Sequence, residues 1–124
     1  MSDRALATLD ALAAAAAVRD GAATASAIVD SVLAHVEARN PALNAFTAVT
    51  RERALGEAAA IDRRRAQGET LPPLAGACLA VKNLFDVAGL VTLAGSTIDA
   101  ERPPAAADAF VLRRLSRAGA ILVG

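Results

Sequence analysis

Apolar residues recur at helical spacing near the start of the chain, and we expect the first helix there. The spacing continues through a run of alanines, which are strong helix formers, until Asp20-Gly21, a typical helix stop. The stripe that we expect to face a core consists of Leu6, Leu9, Leu12 and Ala16.

Two further helices are predicted before residue 70. Thr24 is a suitable N-cap for a helix from about Ala25 to Ala38, and Asn40-Pro41 predicts its end, because the residue before a proline disfavours the helical conformation. A helix from Arg51 to about Gln67, closed by Gly68, is mostly charged, so we expect it at the periphery. The core-facing candidates of these two helices are Ile28, Val32 and Val36, and then Leu55, Ala58, Ala59 and Ile61.

Three short stretches have the length and composition of strands. Residues 44–49 place β-branched and aromatic side chains at alternate positions, which predicts a strand. Residues 77–81 and 120–123 are continuous apolar runs, which are typical of strands covered on both faces. Between these runs we predict a helix from about Ala105 to Arg117, stopped by Gly119, whose inward residues are Phe110, Val111, Leu112 and Leu115.

The order of these elements predicts an α/β domain. Strand, helix and strand in succession form a crossover unit, so we expect the two apolar strands to pair in parallel. Residues 1–70 are expected to form a helical region and residues 71–124 the start of a core sheet, with 84–98 as an irregular segment. The second apolar strand is followed by no helix that could cover it, which favours an incomplete domain.

Composition narrows the classes of function. The 124 residues are 55% apolar but only 2% aromatic, and 13 basic side chains balance 13 acidic ones. A net charge of zero gives no support to a nucleic-acid partner or to binding at an anionic membrane. The single cysteine and the lack of a signal-peptide pattern lead us to expect a cytoplasmic protein, and no apolar run has the length of a membrane span.

Most of the side chains that could be reactive or bind a ligand have an ordinary structural interpretation. One histidine and one cysteine cannot supply a cluster of metal ligands, so we expect no metal site. His35 is expected at a helix surface, and Cys78, within an apolar strand, is expected to be an unreactive thiol. The run Arg63-Arg64-Arg65 predicts a solvated face, and the glycines lack the spacing of phosphate-binding loops.

Lys82 is the exception, for two reasons. It is the only lysine beside twelve arginines, and of these two residue types only lysine can lose its proton in a protein. It also stands, with Asn83, at the carboxyl end of the 77–81 strand, where α/β sheets tend to bind ligands. If the fold covers it, burial disfavours the charged form, and a neutral amine could accept a proton. Judged by position alone, Lys82 is at least as well explained as a lysine at a strand end whose amine extends into water.

Short motifs run through the whole chain in a recognisable order. The helical part contains Asn40-Pro41-Ala42-Leu43-Asn44-Ala45-Phe46, followed on the next helix by Ala59 and Asp62. The later motifs are Leu74-Ala75-Gly76, Ala80-Val81-Lys82-Asn83, Val87-Ala88-Gly89-Leu90, Ala94-Gly95-Ser96, Asp108-Ala109, and the run from Arg114-Leu115 to Gly119-Ala120-Ile121-Leu122-Val123-Gly124. In order and in spacing, these stretches resemble the opening third of the amidase-signature family.

The resemblance implies a fold and an activity. The fold consists of N-terminal helices followed by the first strands and the crossover helix of that family's mixed sheet. The activity is hydrolysis of a non-peptide C–N amide bond, without a cofactor, by a lysine, a serine held in a cis peptide bond and a nucleophilic serine. Backbone amides near the serines would stabilise the oxyanion.

The resemblance also assigns residues. Lys82 matches the catalytic lysine. Ser96 matches a family position near that lysine, where it either supports the site from a second layer or shapes a loop. Neither catalytic serine has a counterpart among the five serines of the chain, which are Ser2, Ser26, Ser31, Ser96 and Ser116.

The resemblance further implies a small amide or urea-like substrate and leaves open a homodimer or a small companion subunit. The stretch from Asn83 to Gly89 is more similar to the carboxybiuret and biuret hydrolase branch than to the A subunits of glutamyl-tRNA(Gln) amidotransferase. Many members have Val-Pro where this chain has Ala77-Cys78, and Asp where it has Asn83. Neither departure concerns the lysine.

Three interpretations stay open at this point. The chain is part of a longer amidohydrolase and inactive by itself, or it is a non-catalytic assembly or binding partner of a complete amidase, or it is a fragment of an amidotransferase A subunit. Cooperative unfolding of the isolated chain favours the binding partner, whereas a molten chain favours the amidohydrolase fragment.

Overall fold

The computed structural model describes residues 2–124 as short and long helices around a small sheet. The α-helices are α1 (Asp3–Leu6), α2 (Ala11–Asp20), α3 (Ala25–Leu43), α4 (Arg51–Ala66) and α5 (Phe110–Arg117). The remaining elements are the strands β1 (Cys78–Leu79) and β2 (Ile121–Leu122) and a 3₁₀ helix at Ile98–Glu101.

The predicted first helix is two helices, because the chain restarts at Asp10. The Asp10 side chain accepts a hydrogen bond from Ala13 N at 2.8 Å and thereby caps α2. The restart changes which face is buried, so Leu12 is 75% exposed and the prediction that it faces the core is wrong. The predicted end is confirmed, because Gly21 follows α2 in the left-handed conformation with a φ of +78°.

The start of α3 is confirmed and its end is not. Thr24 caps it by accepting from Ala27 N at 3.0 Å. The helix continues through Pro41 to Leu43, because a proline in the last turn removes one hydrogen bond but keeps a backbone angle that suits a helix. It ends at Asn44, which has a φ of +49° and donates its N–H to Asn40 O at 2.7 Å.

A carboxylate of α4 also supports the start of α3. Asp62 accepts hydrogen bonds from Ala25 N at 2.7 Å and from Ser26 N at 3.0 Å. The first amides of a helix have no partner within it, so this carboxylate satisfies two of them and interacts favourably with the helix dipole. The two helices are therefore fixed to each other by polar contacts as well as by apolar packing.

The extent of α4 is confirmed, but its peripheral position is wrong. Ala54 and Ala58 are fully buried, and the helix contacts both α3 and β2. Small side chains permit this close packing, which the charged composition of the helix conceals. The predicted strand at 44–49 is also wrong, because the Asn40 side chain bonds to both Phe46 N, at 2.8 Å, and Phe46 O, at 3.1 Å. These groups are then not available to a neighbouring strand.

The two apolar runs pair in parallel, as predicted, with Cys78 opposite Ile121 and Leu79 opposite Leu122. Both strands are shorter than predicted, and β1 is only partly buried. Side chains from the two faces enter different cores. Ile121 packs with α2, α3 and α4, whereas Leu122 packs with Leu112 of α5. Helices thus cover both faces of β2, as expected of an α/β fold.

Helix α5 begins five residues later than predicted. The preceding segment bonds instead to the loop after β1, through Ala105 N to Leu90 O at 2.8 Å and Ala109 N to Asp86 O at 2.8 Å. Of the four predicted inward residues only Leu112 is buried, while Phe110 is 65% exposed. The predicted stop at Gly119 is confirmed. The irregular segment at 84–98 is also confirmed, except that its last residue, Ile98, begins the 3₁₀ helix.

Candidate active site

Lys82 follows β1, and its backbone is fixed on both sides. Val81 N donates to Gly124 O at 3.0 Å, which extends the pairing of the two strands beyond their regular part. Lys82 O accepts from Leu84 N at 2.7 Å and from Phe85 N at 3.1 Å, so the chain turns sharply after the lysine. Lys82 therefore stands where both parallel strands end, which is where the sequence predicted it.

A cleft of about 590 Å³ opens beside Lys82. Its wall is mostly apolar and comes from residues 45–48, 80–84, 94–95 and Gly124. The polar side chains in this wall are Lys82, Asn83 and Thr47, and none of the lining side chains is acidic. The Lys82 side chain is exposed and takes part in none of the salt bridges found among residues 2–124. Its amine is thus free to engage a group that enters the cleft.

Asn83 connects the parts of this wall. Its side-chain oxygen accepts from Leu93 N at 2.8 Å, its backbone oxygen accepts from Ala94 N at 2.8 Å, and its amide nitrogen donates to Thr47 Oγ1 at 3.4 Å. The alternating pattern of residues 44–49 predicts a strand for Thr47 and gives no sign of its place in the cleft. The neighbouring 40–46 motif resembles the helical N-terminal region of the family, which does not indicate proximity to the site.

Ser96 lies just beyond the cleft wall. Its neighbours Ala94 and Gly95 line the cleft, whereas its own hydroxyl accepts a hydrogen bond from Asp99 N at 3.4 Å, at the start of the 3₁₀ helix. Ser96 N donates to Leu93 O at 2.8 Å and closes the turn that brings Gly95 to the site. These contacts fit a loop-shaping residue, and a role in the second layer of the site stays a prediction.

The other side chains that could be reactive or bind a ligand lie where they need only a structural role. His35 is exposed on α3, and burial raises the pKa of the Cys78 thiol to about 11, which keeps it protonated and unreactive at neutral pH. Arg63 and Arg65 are exposed, and Arg64 pairs with Glu69 at 2.8 Å. Within residues 2–124 no three metal-ligating side chains form a group that could hold an ion, and no helix is long and apolar enough to cross a membrane.

A charged network that the sequence did not reveal joins α4 to the segment before α5. The Arg53 guanidinium donates to both oxygens of Asp108, at 2.9 and 2.7 Å, and to Glu57 at 2.8 Å. Hydrogen bonding to Arg53 holds the pKa of Asp108 below its ordinary value, and the same bond raises the pKa of Arg53. Asp108 also accepts from Ala88 N at 2.8 Å and so fixes the loop that follows Lys82.

Fold and cleft together define a class of protein: an α/β protein with a lysine-bearing cleft at the carboxyl ends of parallel strands. A family model described as Amidase matches residues 27–124, and the chain therefore belongs to the Amidase family. This membership confirms the resemblance that the motifs indicated.

Curated relatives agree with this assignment. AtzE, the 1-carboxybiuret hydrolase subunit of Pseudomonas sp. strain ADP, is 52% identical over 107 residues, which are 86% of this chain and 23% of that protein. The A subunit of the glutamyl-tRNA(Gln) amidotransferase of Chloroflexus aurantiacus is 43% identical over 113 residues, which are 90% of this chain and 23% of that protein.

Solved structures show the same fold. A structure of a vestigial protein complex, which bears on the evolutionary origins of an s-triazine catabolic enzyme, superposes with a TM-score of 0.91 at 48% identity, over 94% of this chain and 25% of that one. The peptide amidase of Stenotrophomonas maltophilia gives a TM-score of 0.85 at 31% identity, over 98% and 25% of the two chains. The chain spans about a quarter of the length of the relatives that it matches.

Proposed function

We propose that this chain is the lysine-bearing part of an amidohydrolase that cleaves a non-peptide C–N bond by acyl transfer. The observation that carries the proposal is the position of Lys82 in a member of the Amidase family. Its side chain borders a cleft at the carboxyl ends of two parallel strands and is not bound in a salt bridge within residues 2–124. An amine in that position can reach a substrate or a hydroxyl that enters the cleft.

In the proposed mechanism, Lys82 takes a proton from a bridging serine, which in turn takes a proton from a nucleophilic serine. The nucleophile attacks the amide carbon, the amine leaves, and water hydrolyses the acyl-enzyme. Both serines have to come from outside this chain, because no serine lines the cleft formed by the described residues. We therefore expect no hydrolysis by the 124-residue chain alone.

A small amide or urea-like molecule is the proposed substrate. The support is the identity of 52% to the 1-carboxybiuret hydrolase subunit, compared with 43% to the Chloroflexus amidotransferase protein. A companion subunit or a second copy is part of the proposal, since the first of these relatives is named as a subunit, while one structural relative was solved as a complex. A cytoplasmic location is proposed from the single cysteine, Cys78, which is a free thiol.

The test is a chimera in which residues 1–124 replace the matching quarter of the Pseudomonas 1-carboxybiuret hydrolase subunit. We expect the chimera to hydrolyse 1-carboxybiuret or a small amide, and the 124-residue chain to hydrolyse neither. Lys82→Ala should lower kcat by about a thousandfold or more, as loss of a member of a catalytic triad does in other hydrolases.

Lys82→Arg serves as the matched variant, because it keeps the positive charge but cannot act as a proton acceptor. It should be as inactive as Lys82→Ala. Wild-type activity in either variant of an active chimera would show that Lys82 has no catalytic role.

A further inference from the structure

The turn at Ala94 and Gly95 is strained on one side of the Lys82 cleft. Both residues lie in the left-handed region, with φ of +50° and +76°. Glycine adopts this conformation freely, whereas the Cβ of an alanine crowds the backbone there. Because both residues line the cleft, the strain lies in its wall. An alanine persists in such a conformation only where contacts of the surrounding fold hold it.

Asn83 supplies those contacts. Its side-chain Oδ1 accepts from Leu93 N and its backbone oxygen accepts from Ala94 N, both at 2.8 Å. The two consecutive amides that lead into the strained turn are thus bound by one residue. Since Asn83 directly follows Lys82, the turn is fixed to the part of the backbone that carries the lysine.

The same side chain reaches a third part of the cleft wall. The Asn83 amide nitrogen donates to Thr47 Oγ1 at 3.4 Å, and Thr47 belongs to the 45–48 segment. A primary amide suits this position because it carries an acceptor and a donor on one rigid group, whereas a carboxylate carries acceptors alone.

We propose that Asn83 is a positioning residue of the Lys82 site, which holds the Ala94–Gly95 turn and the 45–48 segment where they form the cleft wall. The expected effect on catalysis rests on the proposed function, whereas the structural role of Asn83 in fixing the cleft wall does not. Asn83 acts here through the wall and not on the reacting atoms. A displacement of about 1 Å at an active site can cost about a hundredfold in rate, so loss of this hold acts on kcat.

The test compares Asn83→Ala with wild type in the chimera, by hydrogen exchange and by enzyme kinetics. We expect the amides of residues 93 and 94 to exchange about tenfold faster or more, because their acceptors are lost or displaced. In the chimera kcat should fall about tenfold or more while KM changes by less than about threefold.

Two variants separate positioning from a general loss of stability. Asn83→Asp keeps the acceptor for Leu93 N but loses the amide donor to Thr47 Oγ1, so it should retain the exchange protection of residues 93 and 94 and lose less of kcat than Asn83→Ala. Asp10→Ala is the matched control, because it removes another side-chain acceptor that binds a backbone amide at 2.8 Å, outside the Lys82 cleft. It should change neither the exchange of residues 93 and 94 nor kcat.

The proposal is overturned if Asn83→Ala leaves both the exchange and kcat unchanged. If Asn83→Ala does not fold, Asn83→Asp decides: a folded Asn83→Asp enzyme that loses the protection of Leu93 also overturns it, and retained protection supports it. A wild-type chimera without hydrolysis contradicts the proposed function instead, and the exchange data then judge the hold on the wall alone.

Discussion

Lys82 differs in its surroundings from the arginines that form salt bridges. Every salt bridge found within residues 2–124 uses an arginine, and the arginines involved are Arg51, Arg53, Arg64 and Arg102. A guanidinium suits such pairs because it is always charged and presents a rigid fork of donors. The only lysine borders a mostly apolar cleft without an acidic side chain in its wall. The surroundings of Lys82 thus differ from those of these four arginines.

At the same scale, Asp108 is expected to stabilise the fold. It is 15% exposed and binds both Arg53 and Ala88 N, so Asp108→Asn weakens a charge-assisted bond and leaves part of the guanidinium unpaired. We expect a loss of about 2 kcal/mol in the free energy of unfolding at pH 7, measured by urea denaturation of the chimera. Asp30→Asn, at an exposed aspartate of α3, is the control and should change the stability by less than about 0.5 kcal/mol.

The pH dependence of stability follows from the lowered pKa of Asp108. A carboxyl group whose pKa is lower in the folded state than its ordinary value of 3.8 stabilises the fold at any pH above 3.8. The contribution is lost as the pH falls below about 4 and through the folded-state pKa. Wild type should therefore lose stability more steeply than Asp108→Asn in this acid range. Equal slopes for the two proteins would contradict the contribution of this carboxylate.

Among the elements, β2 is stabilised by polar contacts with α4 and its N-cap as well as by pairing with β1. On one side it pairs with β1, and on the other Leu122 N donates to Glu57 Oε2 at 3.1 Å. Thr50 completes that side, because its hydroxyl donates to Leu122 O at 2.8 Å and its N–H to Val123 O at 3.0 Å. A two-residue strand can thus have its polar groups satisfied on both edges. The start of α4 also fixes the carboxyl end of β2, next to the cleft.

The turn between α5 and β2 depends on Gly119. Its φ is +96°, and a Cβ there would lie 2.7 Å from Ala75 N and 2.8 Å from Ala75 Cα. Gly119→Ala combines backbone strain with a clash against a backbone that cannot easily move. We expect it to lower the free energy of unfolding by about 2 to 4 kcal/mol.

Gly68→Ala is the matched control, because Gly68 has a φ of +73° but no neighbouring atom within 4 Å of the added Cβ. It should cost about 1 kcal/mol, from the backbone conformation alone. Thermal unfolding of the two variants compares them directly. Equal losses would mean that the close approach of Ala75 has no energetic weight.

At the scale of the whole molecule, several large apolar side chains are exposed. Large hydrophobic residues are at the surface of the described chain, namely Leu12, Leu43, Val49, Leu84, Phe85, Ile98, Phe110 and Val111. Relatives are about four times longer, and we expect the additional part of an amidase to cover some of this surface.

The 124-residue chain should accordingly bind a hydrophobic dye such as ANS and unfold over a broad range of denaturant. The chimera should bind less dye per molecule and unfold more sharply. A chain that binds no dye and shows one sharp, two-state transition would favour an independent module over a fragment of a larger enzyme.

Sequence alone predicted two helix boundaries that local contacts decide, the start of α3 and the end of α2, but missed the equally local start of α2 at Asp10 and end of α3 at Asn44. Thr24 caps its helix through a residue three positions away, and Gly21 ends α2 by its own backbone freedom, so both could be recognised from neighbouring residues. The start of α5 was predicted wrongly because distant partners decide it. Residues 105 and 109 bond to the loop after β1 instead of extending α5, and no local pattern shows such a partner.

In the site, too, the sequence predicted the local features and the tertiary structure decided the distant contacts. Sequence determined that a lone lysine follows an apolar strand of a parallel pair, because hydrophobic runs and chain order are local properties. Only the tertiary structure decided what surrounds it: Thr47 lies 36 residues from Asn83, and Arg53 lies 55 residues from Asp108. Contacts over such separations depend on how the helices pack on the sheet, which the side chains of the whole chain determine together.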